Sequence, residues 1–216
     1  NIDYLLKTDE GDFSGSTQIM GDFNLMNIAM AYVSALKSGA AQSKIIDAIK
    51  DCDNVPGRFE RINGAPFHVI VDYAHTPDAF EKILNTFSSS ITKRLIVVFG
   101  CAGERSKERR IGLGKLTAEK ADMSIITEED SRSESIHDIV QDIENEMKKA
   151  GSTAGNDYKI ILDRREAIKF SLQYAEKDDF VLILGKGHEK SIELNGEFIP
   201  WDDRKITNEL INIIYN

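Results

Sequence analysis

The sequence predicts an α/β protein, a mostly parallel sheet with helices on both faces, preceded by a small helical piece. Three observations carry this expectation. Short continuous runs of Ile, Val and Leu recur between residues 66 and 190, as strands buried on both faces require. Amphipathic stretches that open with helix-start signals separate those runs. The sharpest punctuation in the chain, Asn54-Val-Pro-Gly-Arg58, divides it into residues 1–56 and residues 57–216.

In chain order, residues 1–22 are polar and Gly-rich and read as an irregular or β lead-in. Residues 23–36 have a helical pattern dense in Ala and Met, and Gly39 suits the position just past its end. A short second helix is expected over about residues 41–50. Residues 59–62 and 66–72 flank Asn63-Gly64, a strong short hairpin signal. Buried strands follow at 94–100, 123–127, 159–162 and 180–185. Thr76 and Pro77 supply an N-cap and first-turn proline, with Asp78 in the same turn. Asp163 with Glu166 has the spacing of a capping box. Ile136, Ile139, Val140, Ile143 and Met147 form one helical stripe. Residues 192–200 pair across Asn195-Gly196, and a last helix covers about 204–215. Strand-helix alternation of this kind builds a Rossmann-like sheet.

The 216 residues include 41% hydrophobic and 29% charged side chains, an ordinary globular composition. A net charge of −9 argues against nucleic acid and anionic membrane as partners. No apolar run approaches the roughly 18 residues of a membrane span. Residues 1–10 have neither the charged nor the apolar region of a secretory signal. The two cysteines, Cys52 and Cys101, are expected as free thiols in a reducing, cytoplasmic compartment. Four scattered histidines offer no zinc set, and no metal site is expected in this stretch. The chain does not begin with Met, which fits a piece of something longer.

Ligands of open parallel sheets bind beyond the carboxyl ends of the strands. That rule singles out the loops at 72–77, 100–110, 127–134 and 185–189. Gly185-Lys-Gly-His-Glu189 has glycines and a lysine suited to phosphate, but lacks the spacing and the Ser or Thr of a phosphate loop. It reads as a plain glycine turn or a substrate loop in which Glu189 meets an ammonium. Gly100-Cys-Ala-Gly-Glu-Arg105, with Lys107, Arg109 and Arg110 after it, is either a solvated loop or an anion-binding nest. Thr127 to Glu134 is a polar run that could be a loop and helix cap. Asp72, His75 and Thr76 could hold a ribose and phosphate, or form a helix cap with a satisfied histidine. Asn24 and Asn27, three residues apart, could meet a base edge or cap their helix.

Taken in order, Gly21-x-Phe-Asn24-x-x-Asn27, Pro56-Gly-Arg58-Phe-Glu60, Asp72-Tyr-Ala-His-Thr-Pro-Asp78, Gly100-Cys-x-Gly-x-Arg105, Asp163-Arg164, Gly185-Lys-Gly-His-Glu189 and Asp202-Asp-Arg204 resemble the Mur ligase family. The resemblance runs from about residue 20 to the C-terminus, and is greatest to the branch that adds the third residue of the peptidoglycan peptide. Folylpolyglutamate synthase shares the fold, with different strings expected at the Asp72 and Gly185 motifs.

The resemblance implies an ATP- and Mg2+-dependent ligase. It would activate the carboxylate of a UDP-N-acetylmuramoyl-dipeptide as an acyl phosphate, which the amine of an incoming amino acid attacks. Residues 1–56 would end the central ATP-binding domain and residues 57–216 would be the amino-acid-binding domain. The phosphate loop and magnesium ligands of the family would lie upstream, so this stretch alone is expected to hold no catalytic residue and no activity. The matching positions imply ATP contacts at Asn24, Asn27, Arg58, Asp72, His75 and Thr76. They imply amino-acid contacts at Arg110, Asp130, Arg132, Gly185 and Glu189, with Arg110, Arg132 and Glu189 converging on one site. Where the diaminopimelate-adding branch resembles Asp-Asn-Pro-Arg, this chain reads Glu129-Asp130-Ser131-Arg132. The kept arginine favours diaminopimelate, and lysine is next. The rival from another class is a non-catalytic binding or regulatory module reusing the fold.

Overall fold

The computed structural model describes residues 2–9, 11–19, 21, 23–52, 55–88 and 93–215. The chain forms two compact units, Asn1–Val55 and Pro56–Asn216. Asn54, the start of the predicted break, lies outside the described residues.

In the first unit the polar lead-in is a hairpin. Strands β1 (Ile2–Thr8) and β2 (Gly11–Thr17) pair antiparallel. Helices α1 (Phe23–Lys37) and α2 (Gln42–Asp51) follow. Gly39 ends α1 at φ +89°, and its N–H donates to the Leu36 carbonyl at 2.9 Å. Tyr4 and Phe13 from the hairpin, Ile28 and Tyr32 from α1, and Ile45 and Ile49 from α2 make the core of this unit. The hairpin is needed because neither helix alone has a partner for its apolar stripe.

The second unit is built on a six-stranded sheet in the order β3-β4-β8-β5-β6-β7. Its strands are β3 (Glu60–Ile62), β4 (His68–Asp72), β5 (Leu95–Phe99), β6 (Met123–Ile126), β7 (Tyr158–Ile160) and β8 (Phe180–Leu184). Only β3 is antiparallel. Helices α3 (Pro77–Ser88), α4 (Lys107–Lys120), α5 (Ile136–Lys149) and α6 (Arg164–Tyr174) connect the parallel strands, and α7 (Asp203–Tyr215) closes the chain.

Alternate strand residues serve opposite faces. Val69, Val71, Ile96, Val98, Ile125, Val181 and Ile183 pack with Ala167, Ile168 and Leu172 of α6 and Leu210 and Ile211 of α7. On the other face Phe80 of α3 meets Phe99 edge-on at 5.6 Å, and Phe87 meets Phe180 at 5.2 Å. Both faces are therefore covered by helices, as parallel sheets require. The last strand, β8, inserts between β4 and β5, so the loops after these three strands open side by side.

Two local readings differ from the structure. Ile62 pairs with Val69, so residues 63–68 make a longer connection than a two-residue turn at Asn63-Gly64. The run from Lys107 to Arg110 is the first turn of α4, not a solvated loop. This helix lacks an apolar stripe because glycine lets it pack closely. A Cβ on Gly112 would lie 2.6 Å from Pro77 Cγ, and one on Gly114 would lie 2.7 Å from the Ile143 carbonyl oxygen. By contrast, β9 (Ser191–Leu194) and β10 (Glu197–Pro200) form the predicted tight hairpin. Leu194 pairs with Glu197 across Asn195 (φ +51°) and Gly196 (φ +80°), the conformations of a type I′ turn.

Candidate functional site

Asp72 ends β4 with a buried carboxylate. The Phe59 N–H donates to its Oδ2 and the Ala74 N–H to its Oδ1, each at 2.6 Å. Burial raises its pKa while these two amides and Arg58 lower it. Asp72 thus ties two loops together, and holds Phe59 in a left-handed conformation at φ +48°. Both of its oxygens accept backbone amides, so in this structure it positions the two loops. The next residue, Tyr73, is an aromatic platform. The Arg58 guanidinium lies 4.5 Å from its ring centre, the His75 ring 4.4 Å away and the His188 ring 4.8 Å away.

His75 Nδ1 lies 2.7 Å from the Tyr73 carbonyl oxygen. Its proton therefore sits on Nδ1, and Nε2 is left as the acceptor. Burial holds this imidazole below its usual range. Thr76 caps α3, accepting the Ala79 N–H at 3.4 Å through its hydroxyl. Asn24 and Asn27 belong to the first unit, where Asn27 Nδ2 donates to Asn24 Oδ1 at 2.9 Å.

The expected amino-acid residues fall into two clusters. In one, buried Lys186 donates to Asp130 Oδ2 at 2.7 Å and pairs with Glu189 Oε2 at 2.6 Å. Asp130 Oδ1 accepts the Glu193 N–H at 2.7 Å, and Glu189 Oε1 accepts from the Tyr73 hydroxyl at 3.2 Å. Gly185 opens this loop at φ +108°. In the other cluster Arg132, also left-handed at φ +55°, faces Glu193 Oε2 at 3.3 Å and Glu104 Oε2 at 4.0 Å.

Arg110 departs from the expected convergence. Its side chain is only 2% exposed and pairs with Glu134 at 2.5 Å and Asp142 at 3.1 Å. It pins α4 to α5, and Glu134 in turn accepts the Glu104 N–H. Arg110 supports the loop that carries Glu104 and presents no open guanidinium. Among the described residues no three His, Cys, Asp or Glu side chains gather as a metal site.

Reading the sequence missed Glu129. It lies wholly buried, and its Oε2 has no hydrogen-bond partner. A Cβ on Gly185 would sit 2.5 Å from that oxygen. Burial pushes its pKa up to about 7, against the pull of Arg164 and Lys186. The folded state therefore holds the proton more tightly than the unfolded chain, and this group's contribution to stability falls as pH rises from about 4.5 to about 7. Glu129→Gln should remove that loss. Relative to wild type, its unfolding free energy should improve between pH 5 and pH 8 by on the order of 2 kcal/mol. Urea titrations at both values test this, and parallel curves for the two proteins would refute it.

Tyr73 and Glu193 were likewise not singled out, and Lys186 was considered only as a phosphate ligand. Lys186 and Tyr73 lay inside quoted motifs, whereas Glu193 carries no local signal. For ATP, the fit is partial and chemical. Arg58 suits phosphate oxygens, the Nε2 of His75 is an acceptor and suits a donor group of the nucleotide, and Asp72 and Thr76 bond to the backbone around them.

An open parallel sheet with charged, glycine-containing loops gathered beyond its inserted strand defines an α/β domain of the doubly wound kind. The profile of the family described as "Mur ligase, glutamate ligase domain" matches residues 57–187. The chain belongs to the Mur ligase family. A relative from Syntrophomonas wolfei subsp. wolfei, named UDP-N-acetylmuramoyl-L-alanyl-D-glutamate–2,6-diaminopimelate ligase, is 40% identical over 195 residues, covering 90% of this chain and 39% of its own length. A solved structure of a UDP-N-acetylmuramoyl-L-alanyl-D-glutamate–2,6-diaminopimelate ligase superposes with a TM-score of 0.69 at 32% identity, covering 99% of this chain and 43% of that one. A pseudomurein peptide ligase type C from Methanothermus fervidus shares the fold, with a TM-score of 0.67 at 23% identity over 98% of this chain and 40% of its own. The chain spans about two fifths of the length of the relatives it matches. None of the helices among the described residues is long and apolar enough to cross a membrane.

Proposed function

We propose that this chain is the C-terminal part of an ATP- and Mg2+-dependent ligase. The enzyme joins a diamino acid, diaminopimelate before lysine, to the carboxylate of UDP-N-acetylmuramoyl-L-alanyl-D-glutamate. Residues 1–56 would complete the ATP-binding domain and residues 57–216 would present the amino acid. ATP supplies the activation, converting a poor acyl donor into an acyl phosphate. Arg58 would meet phosphate oxygens, and Asp72, His75 and Thr76 would contact the nucleotide, His75 through the acceptor Nε2; in the first unit the implied ATP contacts are Asn24 and Asn27.

The observation that carries this reading is the charge pattern at the strand ends. Asp130, Lys186 and Glu189 form one chain of ion pairs, and Arg132 follows Asp130 by two residues. An amino acid with two ammonium and two carboxylate groups needs both signs of charge held at fixed positions. Gly185 would leave room for its backbone, and Glu189 would take an ammonium. The names of the 40%- and 32%-identical relatives support the same substrate class.

The test uses the full-length protein that contains this chain, supplied with ATP, Mg2+ and the UDP-linked dipeptide. Phosphate release should depend on added amino acid, with diaminopimelate used better than lysine. Release that ignores the amino acid would overturn the ligase reading, and better use of lysine would overturn the substrate order.

A further inference from the structure

Tyr73 joins three loops: its own, the segment that carries Arg58, and the turn after β8. The approach of that turn is too close for a side chain at its middle. A Cβ on Gly187 would lie 2.7 Å from the Tyr73 Cβ and 2.6 Å from the Gly57 carbonyl oxygen. The Tyr73 ring centre lies 4.5 Å from the Arg58 guanidinium. Stacking engages the flat face of a guanidinium and leaves its N–H edge for an anion. The Tyr73 hydroxyl donates to Glu189 Oε1 at 3.2 Å, while Glu189 Oε2 pairs with Lys186 at 2.6 Å. Lys186 is also shared with Asp130 at 2.7 Å. One cation between two carboxylates leaves a negative charge over, and a neutral hydroxyl orients Glu189 without cancelling it. Burial and the nearby Glu189 carboxylate hold the phenol above its usual range, so the proton stays on the donor.

From this geometry we propose that Tyr73 is a positioning residue for both substrates: its ring holds Arg58 for the nucleotide phosphates, and its hydroxyl holds Glu189 for an ammonium of the incoming amino acid. The inference rests on the reading of this chain as the end of an ATP-dependent ligase. The two tasks fall on different atoms of one side chain, so they can be separated. Removing the hydroxyl leaves the ring under Arg58 and frees one oxygen of Glu189 to turn. Removing the ring as well releases the guanidinium, which then has to be ordered when the nucleotide binds. Because one rigid group serves both, the phosphate-binding cation and the ammonium-binding carboxylate are held on a common frame. Holding reacting groups at fixed positions is how a ligase that adds little covalent chemistry of its own brings its substrates together.

The test is steady-state kinetics of the full-length protein that contains this chain, with KM measured for ATP, diaminopimelate and lysine. Wild type is compared with Tyr73→Phe, Tyr73→Leu, Glu189→Gln and the double variant Tyr73→Phe/Glu189→Gln. Tyr73→Phe keeps the ring and should fold as wild type does. It should raise the KM of whichever amino acid is used by about tenfold, the loss of a hydrogen bond to a charged group, and leave the KM for ATP unchanged. Tyr73→Leu should raise the KM for ATP as well, by about threefold. In the Glu189→Gln background Tyr73→Phe should add less than about twofold, because the hydroxyl acts through that carboxylate. A purely structural role would raise both KM values in Tyr73→Phe and would add in full in the double variant. Either result, or an amino-acid KM that Tyr73→Phe does not move, overturns the role of Tyr73 and leaves the ligase reading standing. A wild type that uses neither amino acid overturns that reading, and this inference with it.

Discussion

Replacing Asp203 with alanine should destabilise the second unit by about 3–5 kcal/mol, the usual cost of leaving one member of a buried ion pair alone. Asp203 and Arg164 are 0% and 1% exposed, and they meet in a two-pronged pair at 2.9 and 2.7 Å. Arg164 also donates to the carbonyls of Glu128 at 3.0 Å and Leu184 at 2.8 Å. The indole N–H of Trp201 donates to Asp203 Oδ1 at 2.7 Å. One cation thus closes the ends of β6 and β8 and the start of α7. Without Asp203 the guanidinium keeps two carbonyls but has lost its counter-charge, and water cannot reach it. Urea unfolding followed by far-UV circular dichroism measures the loss. A change under about 1 kcal/mol would mean that nearby Glu129 takes over the charge. A double replacement by apolar residues of similar volume should recover part of the loss, because the desolvation cost disappears with the pair.

Gly57→Ala should cost about 2–5 kcal/mol, the sum of backbone strain and overpacking. Gly57 has φ +67°, and an added Cβ would lie 2.1 Å from the His188 nitrogen and 2.4 Å from the Gly187 carbonyl carbon. Both obstacles are backbone, so the loop at 185–189 would have to move. Glu189 and His188 would leave their places around Tyr73. Gly39→Ala is the comparison. It has the same sign of φ (+89°), but no atom lies within 4 Å of its added Cβ. It should cost only about 1 kcal/mol. Equal losses for the two substitutions would show that conformation alone, and not the close approach of the two loops, requires glycine at position 57.

Much of the fold was legible because its signals are local. Apolar runs located β5, β6 and β8, the stripe from Ile136 to Met147 located α5, and Asp163 caps α6 by accepting the Glu166 N–H at 3.0 Å. Asn195-Gly196 marked a hairpin because only residues tolerant of positive φ make that turn. The α4 helix was not legible, because its packing rests on Gly112 and Gly114 and not on an apolar stripe. For the site, the ordered motifs located the loops but not the direction of each side chain. Arg110 and Arg132 look alike as sequence, yet one is locked between helices by Glu134 and Asp142 and the other faces Glu193 and Glu104.

By itself the sequence determined most of the strand-helix order, the caps and the Asn195-Gly196 turn, and, through the order of its motifs along the chain, the family. All but the last depend on residues within a few positions of one another. The tertiary structure alone decided that β8 enters between β4 and β5, which brings Lys186 to Asp130 and Glu189 under Tyr73. It also decided that Glu129 is sealed from water and that Glu193 reaches Arg132 from 61 positions along the chain (193 − 132 = 61). The physical reason is that burial and charge pairing depend on neighbours in space, and no pattern along the chain records which carboxylate a given cation will meet.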